Sequence, residues 1–296
     1  MDSGRAFVNG ELLPRSQATV SIDDASVRYG AACFETMRAT NGRVFRLAAH
    51  LDRLRAGLQA MRVTPPSVES LTAAVTATLE ANQLTEARVR LSVSAGPMLG
   101  PHLTEAGPPT TIVVTDPVPV AISGAMPDAA PSPIALAISS LRVDPGRPLA
   151  AAKTAQYLIY LLARAEARDV GADDALLLDP SGDVCETAIA NLFAVIDRRL
   201  VTPALTSGPL PGVTRSVLLE IADRERLPVD QRALPLEQLT RATEIFVTNS
   251  IVGVQPVSSI ARDGETLWRP DAAPQVTPRL AARYADLLAA ECGDPR

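Results

Sequence analysis

Lys153 is the single lysine among the 28 basic residues of this 296-residue chain. Arginine stays protonated and cannot act as an amine nucleophile, whereas a desolvated lysine can form an imine with a carbonyl compound. A GC-rich codon bias accounts for the arginines and for the abundant alanine and proline. It does not account for one retained lysine. Lys153 follows P-L-A-A-A and precedes T-A-Q-Y-L-I-Y-L-L, and such apolar flanks favour the neutral amine by desolvation. A second group of interest is Gly212-Val213-Thr214. Here Pro211-Gly212 precedes a helix whose first free N–H groups, with the helix dipole and the Thr214 hydroxyl, form an anion cup.

Other chemistries have less to build on. The two histidines, His50 and His102, cannot supply a multi-histidine metal site. Cys33, Cys185 and Cys292 are odd in number and far apart, so neither disulfides nor a cysteine metal site is expected. No GxSxG elbow is present for a serine hydrolase. The formal net charge of −5 and the scattered arginines argue against a nucleic-acid partner. No apolar run approaches the roughly 20 residues of a membrane span. The opening MDSGRAFVNGELLP has no apolar stretch of the kind a signal peptide carries. A cytoplasmic location is the expectation, with no membrane partner and no metal.

The elements that must position Lys153 and the cup can be read from the pattern. Residues 6–13 form a strand and turn around Asn9-Gly10, and 34–45 form a hairpin turning at Asn41-Gly42. Leu47, Leu51, Leu54, Leu58 and Met61 recur at helical spacing, and Pro65-Pro66 bounds that helix. Ser67 caps a second helix with Val68, Leu71, Val75 and Leu79 on one face. Strands are expected at 88–95, 111–115, 134–139, 175–178, 192–196, 200–202 and 244–248. Lys153 is expected to open a helix running to about Asp169 and stopped at Gly171. Further helices are expected after Gly212 and from about Pro278 to Ala290. Hairpins and helices mix without regular βαβ alternation, so the class is α+β. The proline-rich stretch after Asp116 marks a linker. This divides the chain into a smaller N-terminal domain at 1–118, a linker at 119–133 and a larger C-terminal domain at 134–296.

The longer motifs resemble the fold-type IV pyridoxal-phosphate enzymes, the class IV aminotransferases. This group includes branched-chain and D-amino acid aminotransferases and aminodeoxychorismate lyases. The most specific stretch is E-T-A-I-A-N-L-F from Glu186, then L-V-T from Leu200 and L-P-G-V-T-R from Leu210. Y-G-x-x-x-F-E-T from Tyr29, F-R-L-x-x-H-L-x-R-L from Phe45 and F-V-T-N-S-x-x-G-V-x-P-V from Phe246 add to it. The likeness runs from about Phe7 to Val257. It implies a two-domain enzyme with a smaller α/β domain and a larger pseudo-barrel domain that holds pyridoxal 5′-phosphate.

The resemblance also implies roles. Lys153 carries the cofactor as a Schiff base and abstracts the substrate proton. Glu186 faces the pyridine nitrogen, and Arg53 grips the phosphate. Leu210, Gly212, Val213, Thr214, Asn249 and Ser250 complete the cup, with Tyr157 beside the ring. Arg28, Tyr29, Phe34, Thr36, Arg90 and Thr187 are candidate substrate contacts, and the segment at 28–36 implies a homodimer. Branched-chain enzymes carry F-E-G and a tyrosine five residues after the lysine. This chain has Phe34-Glu35-Thr36, with Leu158 at that place and Tyr157 one position earlier. D-amino acid enzymes carry an R-x-H clamp, and Gly96 to His102 lacks its arginine. The reading is an amino-acid transaminase that passes an amino group from an amino acid to a 2-oxo acid. Aminodeoxychorismate lyase, which has a threonine at the place of Thr36, is the alternative, and a non-catalytic cofactor-binding protein of the same fold is the second.

Overall fold

The computed structural model describes residues 4–103, 106–118 and 131–293. Most of the expected linker, at 119–130, lies outside them. The chain forms two compact units. One holds 4–118 together with 152–156 and 288–293, and the other holds 131–151 and 157–287.

The first unit is built on a six-stranded sheet. Its elements are β1 (Arg5–Val8), β2 (Glu11–Pro14), α1 (Ala25–Tyr29), β3 (Ala32–Thr40), β4 (Arg43–Val44), α2 (Leu47–Ala60), α3 (Val68–Asn82), β5 (Ala87–Ser94) and β6 (Thr111–Pro117). The strand order is β2-β1-β6-β5-β3-β4. Asn41 and Gly42 both take positive φ between β3 and β4, as a tight hairpin turn requires. On α2, Leu51, Leu54 and Leu58 are buried, each contributing about 1.5–3 kcal/mol of apolar burial. On α3, Leu71, Val75 and Leu79 are buried, and the Ser67 hydroxyl accepts from the Ser70 amide at 3.1 Å.

Alternation along the central strands sorts the site residues. Cys33, Glu35 and Met37 of β3 share a face with Val89, Leu91 and Val93 of β5, all buried. Phe34 and Thr36 stand on the other face, where Thr36 is directly opposite Arg90.

Lys153 does not open a helix. The following helix, α4 (Leu158–Asp169), starts five residues later. Phe34 donates its amide to the Lys153 carbonyl at 2.9 Å, Ala155 donates to the Ala32 carbonyl at 2.8 Å, and Thr154 pairs with Cys33. The short β4 pairs with β3 at Ala39 and Thr40, which leaves the edge at 32–34 open to this segment. Pairing with that edge holds 153–155 outside any helix, so the helix nucleates once the pairing ends.

The second unit has a nine-stranded mixed sheet. Besides α4 it contains β7 (Ile134–Arg142), β8 (Asp174–Leu178), β9 (Val184–Thr187), β10 (Asn191–Ile196), β11 (Arg199–Pro203), α5 (Val213–Arg224), β12 (Val229–Arg232), α6 (Leu236–Leu239), β13 (Glu244–Asn249), β14 (Gly253–Arg262), β15 (Glu265–Trp268) and most of α7 (Val276–Cys292). The order is β12-β11-β10-β13-β14-β7-β8-β9, with β15 on β14. Phe193 and Phe246 stack at its centre with ring centroids 5.2 Å apart. No helix among the described residues is long and apolar enough to cross a membrane.

Glu244, at the start of β13, caps α7. Its carboxylate accepts from the amides of Gln275, Val276 and Thr277 and from the Thr277 hydroxyl at 2.7–2.8 Å. Burial pushes the carboxyl up, but these donors outweigh it and hold it below its usual value. A depressed folded pKa stabilises the protein above the unfolded value of about 4.3, and that contribution fades as pH falls through the folded pKa. Glu244→Ala is expected to cost about 1–3 kcal/mol at neutral pH. The gap to wild type should shrink in acid, and urea melts at pH 7 and pH 3 measure it.

Candidate active site

In the first unit, Lys153 meets the face of β3 that carries Phe34. Its Nζ lies 4.6 Å from the Phe34 ring centroid, and the Arg90 guanidinium carbon lies 3.9 Å from the same centroid. The register explains this meeting. The main-chain bond to Phe34 and the bridge from Thr154 to Cys33 place Lys153 beside Phe34, and the strand pairing places Arg90 opposite Thr36. The lysine segment also packs closely on α2. A Cβ added at Gly57 would lie 3.0 Å from Cys33 Sγ and 3.2 Å from Ala152 Cβ.

Arg53 is held on the other side of β3. Its Nε donates to Glu35 Oε1 at 2.8 Å and its Nη2 to Glu35 Oε2 at 2.6 Å. His50 Nδ1 lies 2.7 Å from the same Oε2. Glu35 is 0% exposed. Burial pushes its carboxyl up, but the Arg53 charge and the bonds from His50 and Arg53 outweigh this and hold it at about 2. The fork fixes the plane of the guanidinium. Glu35 carries no expectation from its sequence position beyond F-E-T, yet it is the residue that orients Arg53.

Arg28 and Tyr29 sit at the end of α1. Arg28 turns to Asp23 at 3.4 Å and to the Met98 carbonyl at 3.3 Å, and it lies over the Tyr29 ring. These contacts are separate from the cluster of Lys153, Phe34 and Arg90.

In the second unit, Glu186 lies on β9 with 5% exposure. The Leu210 amide donates to its Oε2 at 2.9 Å, and Asn191 Nδ2 approaches the same oxygen at 3.4 Å. Asn191 also donates to the Leu210 carbonyl at 2.8 Å. The loop before α5 is thereby tied to the carboxylate. Gly212 is the N-cap of α5, with no side-chain cap and no acid in the first turn. A Cβ at Gly212 would fall 1.9 Å from Asn191 Oδ1, so glycine is required for this close approach. Val213 and Thr214 follow, both buried.

Tyr157 precedes α4 and donates from its hydroxyl to the Ala188 carbonyl at 2.7 Å. Leu158 is exposed. The tyrosine one position early is therefore the one directed toward the signature loop. Thr187 exchanges hydrogen bonds with Ala190 at 3.0 and 3.2 Å and closes the turn after Glu186. Asn249 Oδ1 accepts from the amides of Ile251 and Val252 at 2.9 and 3.0 Å, which shapes the turn carrying Ser250. Asn191 was legible only as the N of E-T-A-I-A-N. Its role depends on a loop 19 residues away.

The chain resembles several aminotransferases in sequence and in structure. The chain is 32% identical over 296 residues to the branched-chain-amino-acid aminotransferase of Salmonella typhimurium, covering 97% of this chain and 94% of that one. Its structure is similar to the branched-chain aminotransferase of Thermoproteus uzoniensis with norvaline, at TM-score 0.86 and 27% identity, covering 98% and 96% of the two chains. It is similar also to the T.th. branched-chain amino acid aminotransferase complexed with N-(5'-phosphopyridoxyl)-L-glutamate, at TM-score 0.86 and 27% identity, covering 100% and 96%. The family model for amino-transferase class IV matches residues 32–260, and this chain belongs to that enzyme family.

Proposed function

We propose that this protein is a pyridoxal 5′-phosphate-dependent amino-acid transaminase, with branched-chain amino acids and their 2-oxo acids as its substrates. The observation that carries the reading is Glu186 with its attachments. A buried carboxylate is bonded, through the Leu210 amide and Asn191, to the loop that opens an uncapped helix. A partner for a ring nitrogen and a cup for a phosphate are thus one piece of backbone. The residues fit the cofactor on this observation, because a buried helix start without a side-chain cap calls for an external acceptor.

When bound, the cofactor supplies an aldehyde for the amino group and an electron sink for the carbanion at the substrate Cα. Lys153 would offer the primary amine for that aldehyde and would move the proton at the substrate Cα. Glu186 holds the proton on the ring nitrogen. In the second unit the α5 amides, Thr214 and Ser250 would bind the phosphate, and in the first unit the Glu35-fixed Arg53 carries the chemistry for the same role. Tyr157 lines the ring. Arg90 is the cation for the substrate carboxylate, on the face shared with Phe34 and Thr36. Branched-chain specificity is supported by the names of the relatives. The homodimer is supported by the exposed row of Leu158, Leu161 and Leu162 on α4, a cytoplasmic location by three buried, unpaired thiols.

A half-reaction screen tests the reading. Holoenzyme mixed with leucine, isoleucine or valine should lose its visible absorbance as the amine form of the cofactor appears, and the matching 2-oxo acid should restore it. Pyruvate release from aminodeoxychorismate, with no half-reaction on any amino acid, would replace this reading with the lyase.

The phosphate assignment carries its own expectation. Arg53→Ala and Thr214→Ala should each weaken cofactor retention by about 1–3 kcal/mol. Equilibrium dialysis measures it. A variant that holds cofactor as tightly as wild type removes that residue from the cup.

A further inference from the structure

Glu186 has a second set of neighbours that its motif does not announce. Tyr160 stands three residues after Tyr157, and their rings stack with centroids 4.8 Å apart and planes 27° apart. The Tyr160 hydroxyl lies 3.4 Å from Glu186 Oε1, a long hydrogen bond, and accepts from Arg147 Nη2 at 3.1 Å. Arg147 is itself fixed by the carbonyls of Asp144 at 2.8 Å and Gly208 at 3.2 Å. Gly208 has φ +90°, and a Cβ there would lie 3.0 Å from Pro145 Cα and 3.3 Å from Arg147 Nη1. A glycine is what lets the guanidinium lie in that place.

The direction of the hydrogen bonds follows from the chemistry. Arg147 can only donate, so the phenol oxygen accepts from it and the phenol proton is directed to the carboxylate. A cation pulling on the oxygen makes the O–H a better donor. We infer that Tyr160, polarised by Arg147, is a positioning residue that holds Glu186 Oε1 and keeps Glu186 an anion toward the ring nitrogen. The inference rests on the cofactor reading above. Glu186 acts on Tyr157 before α4, on Tyr160 within it and on Cys185 of β9, and Arg147 acts on Tyr160 and Cys185. Burial, with the Glu186 charge adding, pushes both phenols up and the Cys185 thiol to about 12. All three are therefore neutral near pH 7. Asp174 and Arg164 act on Tyr157, while Asp179 and Asp183 act on Cys185.

The test uses holoenzyme reconstituted with pyridoxal 5′-phosphate, titrated by absorbance. Tyr160→Phe keeps the stacked ring and removes the hydroxyl. Its visible band should titrate with a midpoint about 0.5–1 unit higher than wild type. A ring nitrogen that is less firmly protonated withdraws less charge from the Lys153 nitrogen. The half-reaction should slow about tenfold with KM within about twofold, since one hydrogen bond to an ion is lost. Arg147→Gln should move the midpoint the same way, and it decides the matter if Tyr160→Phe does not fold. A merely structural role would lower Tm and leave the midpoint in place, and an unmoved midpoint in a folded variant overturns the inference. Wild type that takes up no cofactor would instead overturn the underlying reading.

Discussion

Lys153→Arg is expected to fold, to bind pyridoxal 5′-phosphate and to be catalytically dead, with turnover down by about 10⁴-fold or more. Folding should survive because main-chain atoms anchor the segment. The Lys153 carbonyl and the Ala155 amide pair with Phe34 and Ala32 whatever side chain stands at 153. The charge near Phe34 and Arg90 is kept, so only the amine chemistry is removed. Composition makes the companion labelling experiment unusually clean. With a single lysine in the chain, the competing primary amine is the N-terminus. Borohydride reduction of the holoenzyme should add one cofactor mass per chain, on the peptide containing Lys153. Reduced protein without that adduct, or an arginine variant with wild-type turnover, would end the assignment.

Glu186→Gln should keep its cofactor and lose turnover by about 10²–10³-fold, because a neutral amide no longer favours the proton on the ring nitrogen. The amide is close to isosteric. Its oxygen can still accept from the Leu210 amide where Oε2 does now, at 2.9 Å, so the loop before α5 should stay in place. Dialysis should therefore show cofactor binding within a few-fold of wild type while the single-turnover rate collapses. A variant with the wild-type rate would remove Glu186 from the mechanism. A variant that releases its cofactor would give the residue a binding role instead.

Much of this protein was legible before any fold was known. The Asn41-Gly42 turn, the leucine spacing of α2 and the Ser67 cap are local signals. Each reflects backbone geometry within a few residues, and each appears where its pattern places it. The lone lysine and the E-T-A-I-A-N-L-F motif were equally plain in the chain. Less was visible where an element depends on a distant partner. The stretch at 153–157 has helical composition, yet it stays outside the helix because the open edge of β3 pairs with 153–155. β9 is only four residues long and buried throughout, too short for periodicity to mark it. Arg53 could be read as a cation at helical spacing, but the fork to Glu35 spans 18 residues and needs α2 packed on the inner face of β3. Nothing within α4 points Tyr160 at a carboxylate 26 residues on. Residue type and spacing determined which groups could do chemistry. Strand register and loop packing decided which of them face one another, because hydrogen bonds between distant segments depend on positions that no local pattern encodes.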